Sequence, residues 1–97
     1  MFYCLAYDIT CNKIRRQVVK WCKQAGLRRM QKSVFAGPVP SQQLAELIQN
    51  LESISFLPSD KISLFPLDKN ALKGITFLGD ASAALHLQPT SNANLFY

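Results

Sequence analysis

Ninety-seven residues are enough for one domain with a single core, and 48% hydrophobic with 18% charged residues is typical of a folded protein rather than a disordered one. The formal net charge of +5 is compatible with a polyanionic partner but does not identify one. No stretch approaches the roughly 20 apolar residues of a membrane helix, and FYCLAY lacks the basic lead-in and cleavage site of a signal peptide. We therefore expect a cytoplasmic protein without a membrane partner.

Three cysteines, Cys4, Cys11 and Cys22, follow neither a CxxC nor a zinc-binding pattern. An odd number at this spacing favours free thiols in a reducing compartment over a disulfide or a metal site.

Residues 2–8 carry apolar side chains on both alternating faces and then reach Asp8. This pattern predicts a strand in the centre of a sheet, covered on both faces, with Asp8 where the strand leaves the core. Residues 12–25 repeat apolar residues at helical spacing, with a basic opposite face, and predict a helix. Thr10 or Asn12 would cap its start, and Gly26 suits the position after its end.

Residues 27–37 have β character and fit either one bent strand or two short ones. Ser41 is predicted to cap a second helix over 42–52. Residues 61–67 predict a strand, which Pro66 places at a sheet edge or a bulge. Residues 75–79 predict a further strand.

This order of elements predicts an α+β sandwich of the ferredoxin-like type, an antiparallel sheet with two helices on one face. Residues 1–80 would form this domain, and 81–97 a tail that docks on a partner subunit. Because the first strand is apolar on both sides, we expect a two-fold homodimer to cover the other face of the sheet.

Most catalytic classes lack their residues here. His86 is the only histidine, and there is no Gly-x-Ser-x-Gly elbow, P-loop or dinucleotide fingerprint. Asp8 remains, either as a hydrogen-bond acceptor for the turn that follows it or as a metal ligand. Mg²⁺ commonly takes one or two carboxylates, so Asp8 from each chain of a dimer would hold Mg²⁺ (or Mn²⁺) beside a phosphodiester.

Eight of the eleven Lys and Arg residues lie in 13–32 with no acidic residue between them: Lys13, Arg15, Arg16, Lys20, Lys23, Arg28, Arg29 and Lys32. A single basic helix face is usually only solvated, but a run that continues past the helix indicates contact with nucleic acid. Few aromatic residues interleave with it, which favours binding to the phosphate backbone over base stacking. Under strand alternation Ser33 and Phe35 share a face, where Phe35 packs in the core and Ser33 contacts either phosphate or a neighbouring strand.

The stretches FYCLAYDIT, KIRRQVVKWCKQAGLRRMQKSVFAG and ISLFPL together resemble the CRISPR-associated protein 2 family across residues 1–80. That family has an aromatic-rich strand ending in Tyr-Asp, a basic helix, a glycine and then Arg-x-Gln-x-Ser-Val-Phe. The matching residues here are Tyr7, Asp8, Gly26, Arg29, Gln31, Ser33, Val34, Phe35 and Gly37. Ala36 departs from the family, which often has Glu there, and the tail after Gly79 does not align.

The resemblance implies a ferredoxin-like homodimer that acts in CRISPR adaptation, bridging copies of the integrase CRISPR-associated protein 1 and holding double-stranded DNA. It also implies a metal-dependent endonuclease on RNA or double-stranded DNA, with Asp8 as the metal ligand and catalytic residue. The basic residues implied to contact nucleic acid are Arg15, Arg16, Arg28 and Arg29, and Tyr7, Ser33 and Phe35 would support the site. A non-catalytic DNA-binding adaptor and a toxin-like ribonuclease of the same fold are the alternatives.

Overall fold

Three helices and four strands follow one another along residues 1–80, the part of the chain that the computed structural model describes. They are β1 (Phe2–Asp8), α1 (Asn12–Gln24), β2 (Arg28–Gln31), β3 (Val34–Pro38), α2 (Ser41–Glu52), β4 (Lys61–Leu67) and α3 (Lys69–Lys73). The predicted tail, 81–97, lies outside the described residues, so its docking on a partner remains a prediction. None of the helices in 1–80 combines the length and the apolar character needed to cross a bilayer.

The four strands form one sheet in the order β2-β3-β1-β4, and every neighbouring pair is antiparallel. Each of the two longer helices connects strands that are separated by one other strand, which is the split βαβ arrangement of ferredoxin-like folds. The predicted α+β class and antiparallel sheet are confirmed. So are the central position of the first strand and the edge position that Pro66 indicates for β4.

Residues 27–37 form two strands, which decides between the two alternatives left open by the sequence. β2 and β3 make a hairpin whose turn is at residues 32 and 33. Arg29 pairs with Phe35 and Gln31 pairs with Val34, so the register shifts by one residue between them. The turn lies beside the end of β1, where the Tyr7 amide donates to the Ser33 carbonyl at 3.0 Å.

Both predicted N-caps are wrong. α1 follows Cys11 as its N-cap residue without a side-chain cap, and Asn12 is already helical while Thr10 precedes the cap. α2 follows Pro40, which has extended backbone angles, and Ser41 is the first helical residue. Pro40 has the extended angles that an N-cap residue requires. Because its side chain has no oxygen, the helix begins without a side-chain acceptor for its first amides.

The predicted role of Gly26 is confirmed, because it follows the α1 C-cap with a φ of +99°. It also lies close to β3. A Cβ placed on Gly37 would come within 3.2 Å of the Gly26 carbonyl oxygen. Two glycines therefore let the end of α1 approach the sheet, which sets the position of α1 relative to β2 and β3.

The predicted strand over 75–79 is wrong, because these residues pair with no strand of the described sheet. They follow α3, whose N-cap Asp68 accepts a hydrogen bond from the Ala71 amide at 2.8 Å. Ile75 and Phe77 instead pack against one face of the sheet. Their alternation is the same in either case, since a segment lying on a sheet also presents every second side chain to it.

One face of the sheet and both long helices enclose the main core. Its members from the strands include Leu5, Tyr7 and Phe35, and those from the helices are Val18, Cys22, Leu47 and Leu51. The prediction of two helices on one face is therefore confirmed.

The opposite face has a smaller cluster. Ala36 and Leu72 are buried there, with Phe2, Cys4, Met30, Leu67, Ile75 and Phe77 packed around them. Part of the cover predicted to come from a second subunit is thus supplied by α3 and the segment after it. The homodimer itself remains a prediction.

The three cysteines have different environments. Cys22 is fully buried, and burial raises its pKa to about 12. Burial also raises the pKa of Cys4, which is half-buried. Cys11 is exposed at the start of α1, where the backbone amides of Ile14 and Lys13 lower its pKa.

Replacement of Phe35 by Ala should remove about 3–5 kcal/mol from the free energy of unfolding, because the ring is fully buried in the main core. Urea denaturation at one fixed protein concentration measures it. Phe56→Ala is the matched control, since that ring is 48% exposed and its loss should cost less than about 1 kcal/mol. Equal losses in the two variants would contradict the packing described for Phe35.

Iodoacetamide at pH near 7.5 should alkylate Cys11 first, Cys4 more slowly and Cys22 only after unfolding. A lowered pKa leaves more thiolate at a given pH and a raised pKa leaves less, and only the thiolate reacts. Peptide mass spectrometry over a time course follows each residue. Rapid labelling of Cys22 in the native protein would show that α1 does not pack as described.

Candidate nucleic-acid interface and metal site

Asp8 is the last residue of the central strand and its side chain is exposed. In the β1–β4 ladder its partner is Lys61. Successive strand residues point to opposite faces, so Asp8 shares a face with Cys4 and Ala6 while Tyr7 points into the main core. Within residues 1–80 its carboxylate forms no hydrogen bond or ion pair, so the interpretation of Asp8 as the acceptor for the following turn is wrong.

The turn after β1 is held by a different carboxylate, that of Asp60. One oxygen accepts a hydrogen bond from the Thr10 amide at 3.0 Å and the other accepts one from the Leu57 amide at 3.0 Å. These two amides lower the pKa of Asp60. Sequence reasoning missed this residue, although Asp after Pro58-Ser59 and directly before a strand is a familiar turn position.

Arg15 also binds this turn. Its Nη1 donates to the carbonyl oxygens of Ile9, at 2.8 Å, and Thr10, at 3.1 Å. Ile9 is buried in the main core, so the turn is fixed from within as well. Arg15 was predicted to contact nucleic acid, and part of its hydrogen-bonding capacity is used inside the protein.

A cleft of about 650 Å³ lies between α1 and the β2–β3 hairpin. Six cationic side chains and no acidic one line it: Arg15, Arg16, Lys20, Lys23, Arg29 and Lys32. The remaining lining residues include Tyr7, Asn12 and Ser33. A concave surface with charge of one sign focuses the electrostatic potential, which suits it to bind a polyanion.

Aromatic and cationic contacts fix the hairpin side of this cleft. The Tyr7 hydroxyl donates to the Lys32 carbonyl at 3.2 Å, and its ring stacks on Phe35 with 6.4 Å between centroids. The Arg29 guanidinium lies 5.1 Å from the centroid of the Phe35 ring and donates to the same Lys32 carbonyl at 3.3 Å. The Ser33 carbonyl accepts the Tyr7 amide at 3.0 Å. Tyr7, Ser33 and Phe35 therefore hold the turn that carries Lys32.

The predicted basic run does not form one surface. Arg28 pairs with Ala36, which belongs to the opposite face of the sheet, so strand alternation directs Arg28 away from Arg29. Lys13 is exposed on the first turn of α1 and does not line the cleft. Asp8 does not line it either. The period of two in β2 explains why neighbours in sequence separate in space.

The oxygen donor of Asp8 fits Mg²⁺, but residues 1–80 of the chain do not surround it with a complete set of ligands. Residues 1–80 contain no group of three or more His, Cys, Asp and Glu side chains placed to share an ion. Mg²⁺ takes one or two carboxylates and fills its remaining positions with water and phosphate oxygens. An exposed carboxylate is therefore a suitable ligand for an ion whose other positions are filled by water and phosphate oxygens.

Known proteins resemble this chain in both sequence and fold. The family model described as "CRISPR associated protein Cas2" matches residues 1–75. A protein of Pyrobaculum aerophilum named "CRISPR-associated endoribonuclease Cas2 2" is 35% identical over 74% of this chain and 79% of its own length. One of Korarchaeum cryptofilum named "CRISPR-associated endoribonuclease Cas2" is 38% identical over 71% of this chain and 74% of its own.

Two further similarities concern architecture. A Thermoproteus tenax protein named "CRISPR-associated endonuclease Cas1/endonuclease Cas2 fusion" is 31% identical over 74% of this chain and 27% of its own length. The crystal structure of Streptococcus pyogenes Cas2 at pH 6.5 superposes with a TM-score of 0.69 at 28% identity, covering 81% of this chain and all of the other. Because the family model covers residues 1–75, which include the strand ending in Asp8 and the hairpin carrying Phe35, and two relatives are at least 35% identical over more than two thirds of the chain, this chain belongs to the CRISPR-associated protein Cas2 family.

Proposed function

We propose that this chain is the Cas2 subunit of CRISPR adaptation and acts as a Mg²⁺-dependent endonuclease on RNA or double-stranded DNA. Relatives named endoribonucleases support nuclease activity, and the relative that fuses Cas1 with Cas2 supports Cas1 as its partner. The observation that carries the proposal is the position of Asp8. Within residues 1–80 it is an exposed, unpaired carboxylate at the end of β1, directly before a turn held by Asp60 and Arg15.

The basic cleft is proposed to bind the phosphodiester backbone. Four cationic side chains on α1 face two more on the hairpin. Each arginine guanidinium group can donate two parallel hydrogen bonds to the oxygens of one phosphate. Tyr7 is the only aromatic residue in its lining within 1–80, and it is buried. Because the described lining offers no exposed ring for base stacking, contact through it would depend little on base sequence.

A homodimer is proposed to complete the metal site. On the second face of the sheet, Phe2 and Leu67 are only partly buried, and Phe65 is 43% exposed. A second copy on this face would bury these side chains. Asp8 lies at the end of β1 and shares this face by alternation, so a two-fold axis there would bring two Asp8 carboxylates together.

Phosphodiester hydrolysis would then divide between these two surfaces. The two Asp8 carboxylates would hold the ion, and the cationic side chains of the cleft would fix the nucleic acid and offset its charge. Bound Mg²⁺ supplies charge neutralisation at the phosphate and a more acidic water. Orientation of Asp8 costs little at the moment of reaction, because its turn is already fixed.

A non-catalytic adaptor that holds double-stranded DNA against Cas1 is the second candidate. One observation favours it: Asp8 and the cleft residue Tyr7 point to opposite faces of β1, and Asp8 does not line the cleft. Binding of nucleic acid in the cleft would therefore not require Asp8.

Replacement of Asp8 by Asn should lower Mg²⁺-dependent cleavage of RNA and of double-stranded DNA by about 100-fold or more, because the neutral amide is a much weaker Mg²⁺ ligand. Purified wild-type protein treated with EDTA should show the same low cleavage rate as the Asp8→Asn variant. Asp68→Asn is the control, since that carboxylate caps α3 and should leave the rate unchanged.

Equal cleavage by wild type and the Asp8 variant would contradict the metal site and expose a contaminating nuclease. If the variant also supported normal acquisition of new spacers in cells, the adaptor would be the better description.

Replacement of Lys20 by Ala should weaken binding to duplex DNA and reduce the slope of log affinity against log salt by about 0.9, because one phosphate contact is lost. Fluorescence anisotropy at several salt concentrations measures both. Lys73→Ala removes the same charge from the last turn of α3, outside the cleft, and should change the slope little. A similar change in both variants would indicate attraction by net charge rather than binding in the cleft.

A further inference from the structure

We propose that Asp60 is a positioning residue for Asp8, whose carboxylate fixes the turn after β1 and thereby the direction in which the Asp8 side chain leaves the sheet. The inference rests on the proposed role of Asp8 as metal ligand and adds a residue that acts through it.

The β1–β4 ladder ends at the proposed metal ligand. Asp8 pairs with Lys61, and this is the last pair of the two strands. Beyond it the chain passes through Ile9 and Thr10 into α1, so no backbone group of β4 continues the pairing. A ligand at the last position of a strand would ordinarily fray with it.

The side chain of Asp60 replaces this missing backbone pairing. Asp60 directly precedes Lys61, and its Oδ1 accepts the Thr10 amide at 3.0 Å. The contact extends the connection between β1 and the β4 segment two residues past Asp8. Asp8 is therefore held on one side by the ladder and on the other by a charge-assisted hydrogen bond.

Asp60 is itself held in place by Leu57. Its Oδ2 accepts the Leu57 amide at 3.0 Å, and its own amide donates to the Leu57 carbonyl at 2.9 Å. Two hydrogen bonds between Asp60 and Leu57 close this loop. The carboxylate therefore acts from a fixed support rather than from a freely rotating side chain.

Arg15 holds the opposite side of the same turn. Arg15 donates to the carbonyls of Ile9 and Thr10, while Asp60 accepts from the Thr10 amide. One peptide segment is therefore held by a cation on its oxygens and an anion on a nitrogen. Because Arg15 also lines the basic cleft, the turn connects the cleft to the segment that carries Asp8.

Asp60→Ala removes both carboxylate contacts and should raise the Mg²⁺ concentration for half-maximal cleavage by about 10–100-fold, as loss of an outer residue that orients a metal ligand does. Asp60→Asn keeps one acceptor oxygen and should fall between Asp60→Ala and wild type. The affinity for duplex DNA should stay close to wild type in both variants, since Asp60 does not line the cleft. A general loss of folding would instead lower binding and cleavage together.

A second measurement does not depend on cleavage. In amide hydrogen exchange by NMR, Asp60→Ala should speed exchange at Thr10 by about tenfold. Asp68→Ala is the matched control: it removes the same kind of carboxylate–amide contact from α3, so exchange at Ala71 should rise while Thr10 and the Mg²⁺ midpoint stay unchanged.

The two proposals fail in different ways. Equal cleavage by wild type and Asp8→Asn would overturn the metal site, and the positioning role would then be judged on the exchange at Thr10 alone. If cleavage depends on Asp8 but Asp60→Ala keeps the wild-type Mg²⁺ midpoint, the positioning role is wrong. Unchanged exchange at Thr10 in Asp60→Ala would overturn it in either case.

Discussion

The pairing of β1 with a strand on each side is the constraint on which the rest of this molecule depends. β3 and β4 bind both of its edges, and Leu5 and Phe35, which are paired across the ladder, are fully buried. Once this strand is fixed, its period of two assigns every side chain to a face. Tyr7 goes to the core and to the wall of the cleft, and Asp8 goes to the other side.

The fold also explains how a run of positive charge becomes a binding surface. α1 and β2 follow each other along the chain, and the glycine at position 26 lets the end of the helix approach β3 closely. Cations on one face of α1 then lie opposite those of the hairpin. The acidic residues are at the end of β1, on α2, around β4 and after α3, and none of them lines the cleft, so no carboxylate in its lining offsets its potential.

Long, strongly periodic segments were predictable from the sequence, and contacts between distant side chains were not. The alternation in β1 and the helical spacing in α1 and α2 each bury a face, so they predicted these elements and the fold class. The segment 75–79 has the same alternation but packs on a sheet rather than pairing in it, and periodicity does not distinguish the two. Asp60 acts on Thr10, 50 residues away, and no local pattern encodes that contact.

The sequence left two roles open for Asp8, acceptor for the following turn or metal ligand, and the hydrogen bonds of that turn contradict the first of them. A carboxylate before a helix usually accepts amide hydrogen bonds, and here the Thr10 amide of that turn donates to Asp60 instead. The use of Asp60 rather than Asp8 as the acceptor has a chemical consequence, because a carboxylate that already accepts backbone hydrogen bonds has fewer lone pairs for an ion. By assigning the structural contact to Asp60, the chain leaves both oxygens of Asp8 available at the end of a rigid strand. The proposed site shared between two subunits would require such an arrangement, since each subunit would have to present its carboxylate before the other arrives.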